Sequence, residues 1–249
     1  MYGSIVGVIN YDKAPHIGDC AAVFETMFTA TPTNNVSATG VFSVSSDKPI
    51  QVYKDSVLTE TMLKSEGYNK VISGLKKDAS SFNCLVGHTR CGLEGTELNN
   101  DNNQPIITDE IVGVHNGSIH NSSNITYKFK LKNRGTTDSE VIFKLVEKNA
   151  KESESLVDAI RKADKNFYGL NNWCFVHTQY PNYLMVIKTR MDDTLVMGKI
   201  PSRKLIVIGP KTVLEALKTF KIEEIPSDGK GFIIDMINGK VEPFKLNDY

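Results

Sequence analysis

The sequence predicts an α+β domain built on two stacked sheets with helices outside them. Three observations lead there. Apolar, β-rich runs recur from the first ten residues to the last thirty, helical periodicity is confined to segments between them, and no linker, internal repeat or low-complexity tract divides the 249 residues. So many apolar strands in one undivided chain are best buried by packing two sheets face to face, which makes residues 1–249 a single expected domain.

The elements follow in order. Ile5, Val6, Val8 and Ile9 form a short apolar run that reads as a buried strand, and it should lie centrally because both of its faces are apolar. Residues 19–29 suit a short amphipathic helix, and ATGVFSV and PIQVYKD read as paired strands. From about 57 to 78, Leu58, Met62, Leu63, Tyr68, Val71, Ile72 and Leu75 return at helical spacing. The strand CLVGHTR follows, then an Asn-rich polar stretch over 99–104. IVGVHNGSI is a further strand ending in a turn, since Asn-Gly favours positive φ. Thr136 or Thr137 is positioned to cap a helix over SEVIFKLVEKNA, and a second helix covers about 153–164. The last third holds the strands WCFVHTQ, YLMVIKT, TLVMGKI and KLIVIG, a helix TVLEALKTF, and GFIIDMING with a hairpin-like Asn-Gly.

Composition excludes several classes. Lys plus Arg and Asp plus Glu both number 29, so no net field favours nucleic acid or an anionic membrane, and 40% hydrophobic residues exceed what a disordered chain carries. Cys20, Cys84, Cys91 and Cys174 show neither CxxC spacing nor disulfide-scaffold density, which suggests free thiols in a reducing compartment. No basic region precedes the first apolar stretch and no segment approaches the ~20 apolar residues that span a bilayer, so the expected location is cytoplasmic.

Three short segments hold residue types that can jointly bind and polarise an amide. Arg90, ending an apolar strand, can hold a carboxylate with its planar fork, although a surface ion pair satisfies the same position. Asp138 can accept an ammonium or cap the helix that follows. Asn116 and Gly117 can aim an amide and a backbone N–H at one spot, as an oxyanion hole requires, or can form a plain turn.

Taken together the segments are more specific than any one of them. Gly87-His88-Thr89-Arg90, Asn102-Asn103-Gln104-Pro105, His115-Asn116-Gly117-Ser118-Ile119-His120-Asn121 and Thr137-Asp138-Ser139-Glu140 stand in the order of the class II glutamine amidotransferase pattern, which the chain resembles over most of its length. The resemblance implies the Ntn-hydrolase fold, a four-layer αββα sandwich of two antiparallel sheets between helices. It also implies that Arg90 and Asp138 hold the α-carboxylate and α-ammonium of glutamine and that Asn116 and the Gly117 N–H stabilise the oxyanion. In that family an N-terminal cysteine is the nucleophile and its own α-amino group the base.

The start of the chain departs from that pattern. It reads Met1-Tyr2-Gly3-Ser4-Ile5-Val6-Gly7, so Tyr2 takes the cysteine's place with one residue more before the Ile-Val-Gly strand. A phenol with a pKa near ~10 is almost fully protonated at neutral pH and no substitute nucleophile. Asn34-Asn35-Val36-Ser37-Ala38-Thr39-Gly40 replaces a segment that carries two charged residues in the family, and Cys91-Gly92-Leu93 removes a hydroxyl. Strand alternation aims Cys91 away from the pocket. His88 and His115 lack metal-ligand spacing and read as structural, hydrogen-bonding across neighbouring strands; no cofactor or metal is expected.

Three functions remain open on this reading. The first is a catalytically degenerate amidotransferase-like protein kept as a binding, structural or assembly component. The second is an active glutamine-hydrolysing subunit that supplies ammonia to a separate ligase or synthetase, because this chain shows no synthase domain. The third is sensing of a glutamine-like small molecule without turnover.

Overall fold

Alternating apolar strands fold here as two antiparallel sheets. The computed structural model describes residues 3–12, 17–46, 48–77, 82–92, 95–189, 194–226 and 231–246. In chain order the elements are β1 (Ser4–Asn10), α1 (Ile17–Thr29), β2 (Ala38–Ser45), β3 (Lys48–Asp55), α2 (Thr59–Lys64), α3 (Glu66–Lys77), β4 (Phe82–Arg90), β5 (Ile106–Ile107) and β6 (Ile111–Gly117). There follow α4 (Ser122–Phe129), α5 (Ser139–Ala150), α6 (Leu156–Asp164), β7 (Asn171–His177), β8 (Tyr183–Lys188), β9 (Val196–Ile200) and β10 (Leu205–Gly209). The chain closes with α7 (Lys211–Leu214), β11 (Glu223–Ile225), β12 (Gly231–Asp235) and β13 (Val241–Phe244).

One sheet has the order β11-β9-β10-β1-β4-β2-β3 and the other β13-β12-β8-β7-β6-β5. The expected central place of the first strand holds, since β1 lies between β10 and β4 and all seven of its residues are buried. Period-two alternation divides its side chains between two cores. Val6 and Val8 pack with Phe24, Met27 and Phe28 of α1 and with Tyr68, Val71 and Ile72 of α3. Ile5 and Ile9 face the other way, against Val112, Val114, Cys174, Val176 and Val186 of the second sheet. A third core sets Trp173 and Phe175 of β7 against Phe143, Leu145 and Val146 of α5. Three apolar interfaces between four layers make the αββα sandwich, each fully buried large side chain contributing roughly 1.5–3 kcal/mol.

Several local expectations are corrected. The helical run over 57–78 is two helices, because Ser65 is extended (ψ 153°) and its hydroxyl donates to the Met62 carbonyl and accepts the Tyr68 N–H. The chain at Asn116-Gly117 leads from β6 toward α4 instead of into a hairpin, whereas Asn238-Gly239 does turn between β12 and β13 with Gly239 at φ +70°. Helix α4 has Ile125 as its one buried residue, and this lack of apolar periodicity leaves it without a sequence signal. The helix expected over 212–220 shortens to the four residues of α7. Among the described residues no helix is long and apolar enough to cross a membrane.

Candidate functional site

The sandwich brings the ends of four segments to one place. Gly3 before β1, Arg90 at the end of β4, Asn116 and Gly117 at the end of β6, and Thr137 to Ser139 at the start of α5 line one cavity of about 40 Å³. Arg90, Asn116, Gly117 and Asp138, taken from separate sequence motifs, thus share a wall. Tyr2, the fifth residue singled out by the resemblance, lies outside the described residues.

The β1–β4 register determines which part of the N-terminal segment meets the cavity. Ser4 pairs with Thr89, and the Ser4 N–H donates to Thr89 Oγ1 at 3.0 Å, which sets Gly3 beside the Thr89-Arg90 backbone. A Cβ at Gly3 would stand 1.9 Å from the Thr89 carbonyl oxygen and 3.1 Å from His88 Cε1. The main chain therefore has room for glycine alone.

Arg90 is 5% exposed, and Nη2 donates to the Gly95 carbonyl at 2.7 Å. Burial lowers its pKa from the ordinary arginine value, with the Glu97 and Asp138 carboxylates opposing the shift. Asp138 occupies the N-cap position of α5 without capping it. Its Oδ2 instead accepts the Ile119 N–H at 2.6 Å, which holds the start of α5 against the turn after β6. Of the two expected caps, Thr136 turns away and donates to Asn102 Oδ1 through its N–H and hydroxyl, whereas Thr137 Oγ1 accepts the N–H of Ser139, the first residue of α5, at 3.4 Å.

Asn116 is 4% exposed and its Oδ1 is buried without a hydrogen-bond partner. Gly117 has φ +151°, a backbone region that excludes most side chains, and a Cβ there would approach the Leu170 carbonyl oxygen to 2.4 Å. An amide and a strand-end glycine beside a guanidinium and a carboxylate can bind a zwitterionic amino acid at one end and polarise an amide at the other.

Part of the cavity wall is a buried polar network of His115, Gln104 and Ser139. Nε2–H of His115 donates to Asn171 Oδ1 at 2.8 Å, because the Asn171 amide donates to the Gly169 carbonyl. That tautomer leaves Nδ1 to accept from the Ser139 hydroxyl at 2.9 Å. Gln104 clamps the same residue, donating to the His115 carbonyl and accepting its N–H. His115 is thus held through both ring nitrogens, to β7 and to α5, while also lining the cavity. His88 differs: its ring is buried without a well-formed hydrogen bond, and burial, reinforced by the His115 and Arg90 charges and opposed only by a weak contact with the His115 backbone, pushes the imidazole down to about 3.

Cys91, one residue past the end of β4, also lines the cavity, and its Sγ lies 3.9 Å from the Asn34 carbonyl oxygen. Burial pushes its thiol pKa up from the ordinary value, which opposes any role as an activated nucleophile. Asn102, Gln104 and Glu140, which lie within the same motifs as the site residues, hold the backbone around the cavity, a role that only their distant partners reveal. Asn102 joins the Thr96 and Thr136 backbones, and both oxygens of buried Glu140 accept the Arg134 N–H while one also accepts the Gly135 N–H.

No family model matches the chain. Among curated proteins it is similar to glutamine–fructose-6-phosphate aminotransferase of Wigglesworthia glossinidia brevipalpis, 30% identical over 202 residues that cover 77% of this chain and 30% of that one. The corresponding enzyme of Thermococcus kodakarensis is 35% identical over 117 residues, 45% of this chain and 19% of its own length. The chain thus spans less than a third of these relatives. In fold it is similar to glutamine phosphoribosylpyrophosphate amidotransferase from B. subtilis, with TM-score 0.67 and 16% identity over 98% of this chain and 50% of that one. A glutamine aminotransferase class-II domain protein from Silicibacter pomeroyi gives 0.53 and 12% identity over 97% and 99% of the two chains.

Proposed function

We propose, from the premise that this chain is a class II glutamine amidotransferase domain, that it binds a glutamine-like amino acid without hydrolysing it and serves as a binding or assembly component. The observation that carries this reading is Gly3. Among the described residues, the N-terminal segment meets the cavity at Gly3, which has no side chain and no room for one, since a Cβ would lie 1.9 Å from the Thr89 carbonyl oxygen. Cys91, the cysteine in the wall, has a raised thiol pKa. Covalent attack on an amide needs an activated nucleophile, and neither position supplies one.

The binding groups remain. Arg90 is assigned the α-carboxylate, Asp138 the α-ammonium, and Asn116 with the Gly117 N–H the side-chain amide oxygen. Since the curated relatives are much longer than this chain, the partner class implied is a ligase or synthetase module on the same or another polypeptide. The test pairs an ammonia-release assay with a thermal melt in millimolar glutamine. The expected result is no ammonia above background and a stabilisation, following RT ln(1 + [L]/Kd), that disappears in Arg90→Ala. Turnover abolished by Asn116→Ala would overturn the proposal in favour of an ammonia-supplying subunit, a reading that the shared placement of Asn116 and Gly117 favours. Neither turnover nor a shift would leave a purely structural role.

A further inference from the structure

A second concavity, on the outer face of the second helical layer, lies outside the amidotransferase cavity and shares no residue with it. It measures about 350 Å³, within the usual range for small-molecule sites, and five lysines line it: Lys130, Lys132, Lys144, Lys148 and Lys151. Lys144, Lys148 and Lys151 recur at i, i+4 and i+7, one face of α5 and its continuation, while Lys130 and Lys132 come from the segment after α4.

This cluster is electrostatically uncompensated. Among the described residues none of the five ammonium groups has a carboxylate within 4 Å. Glu147, one of two acids in the wall, is 5% exposed and turned inward, where its Oε1 accepts the Glu110 N–H at 2.6 Å and contacts the Thr108 hydroxyl at 3.2 Å. Glu152 stands one turn beyond Lys148 yet forms no ion pair with it.

Fold stability explains only part of the arrangement. Lys148 and Lys151 gain from the negative end of the α5 dipole and Lys148 Nζ also donates to the Phe129 carbonyl at 3.4 Å, but Lys144 sits mid-helix and like charges at i, i+4 oppose helix formation. Lys130 has the left-handed conformation (φ 53°) that ends α4, a position where glycine or asparagine is less strained. In a chain with zero formal net charge, five lysines around one hollow mark a local positive field. Lysine binds phosphate as a point charge, and several converging on one hollow suit a compact ligand of high negative charge.

We propose that this concavity binds a small multiply phosphorylated anion, with Lys130 and Lys132 on one side and Lys144, Lys148 and Lys151 on the other. A polyanionic strand would need a basic groove that continues past the site, whereas the adjoining hollow of about 80 Å³, which shares Lys151, carries Glu110 and Glu154 and no further lysine, so a small anion is the favoured class.

Calorimetric titration of the purified chain with inorganic tripolyphosphate at about 50 mM KCl should show saturable binding that weakens steeply as salt rises. Lys148→Gln/Lys151→Gln and Lys130→Gln/Lys132→Gln should each lower the affinity by at least about tenfold, through loss of two ammonium contacts. Lys218→Gln, an exposed control elsewhere, should leave it unchanged. Absence of saturable binding, equal binding by the double variants, or tighter binding of a short single-stranded oligonucleotide than of tripolyphosphate would each overturn the proposal. Thermal melts of the variants establish that the fold is retained.

Discussion

The carboxylate of Asp138 accepts the backbone N–H of Ile119 at 2.6 Å, so a side chain at the mouth of the cavity also latches α5 to the turn after β6. Removing it leaves a buried amide without its charged acceptor. Asp138→Ala should therefore destabilise the fold by roughly 1.5–3 kcal/mol, the usual worth of a hydrogen bond to a charged group. Urea denaturation measures this. A loss below about 0.5 kcal/mol, the range of ordinary surface substitutions, would mean that the latch is not formed in solution.

Gly117 stands at φ +151° with the Leu170 carbonyl oxygen 2.4 Å from where a Cβ would be. Gly117→Ala should cost about 1–3 kcal/mol from backbone strain, with further loss from the steric clash. Because β6 ends there, the same substitution should also shift the Asn116 side chain and reduce any glutamine-induced thermal shift. An alanine variant as stable as the parent would show that this backbone conformation is not the populated one.

His88 makes stability depend on pH. Its folded-state imidazole is pushed by burial from 6.5 down to about 3, so the unfolded chain binds a proton there that the folded chain refuses. This contribution to stability is fully present above pH 6.5 and is lost as pH falls from 6.5 toward 3, at up to about 1.4 kcal/mol per pH unit. Unfolding free energies measured between pH 6 and 4 should fall less steeply in His88→Gln, by close to one proton. Parallel slopes for the two proteins would refute the assignment.

Gly3→Cys introduces a thiol at the mouth of the cavity but should not create glutaminase activity. Its Cβ meets the Thr89 carbonyl oxygen at 1.9 Å, a distance that requires β1 or β4 to move. We expect a lower melting temperature and no ammonia release. Ammonia formation by this variant would show that the strand ends yield readily and that only the nucleophile is missing.

Much of this molecule was legible in the chain itself. The two-residue period that splits Val6 and Val8 from Ile5 and Ile9, and the order of the motifs around Arg90, Asn116, Gly117 and Asp138, depend on near neighbours in sequence. The break at Ser65 was written there too, but it was hidden because the apolar spacing continues across it and only the hydroxyl's two bonds end one helix and start the next. Tertiary structure alone decided the rest. Nothing near Asp138 in sequence names Ile119 as its partner, nothing near Gly3 announces the Thr89 carbonyl, and nothing near Cys91 sets its Sγ 3.9 Å from the Asn34 carbonyl oxygen. Local periodicity specifies which face of an element is buried, whereas the room left at a site depends on how closely distant backbones approach once the layers are packed.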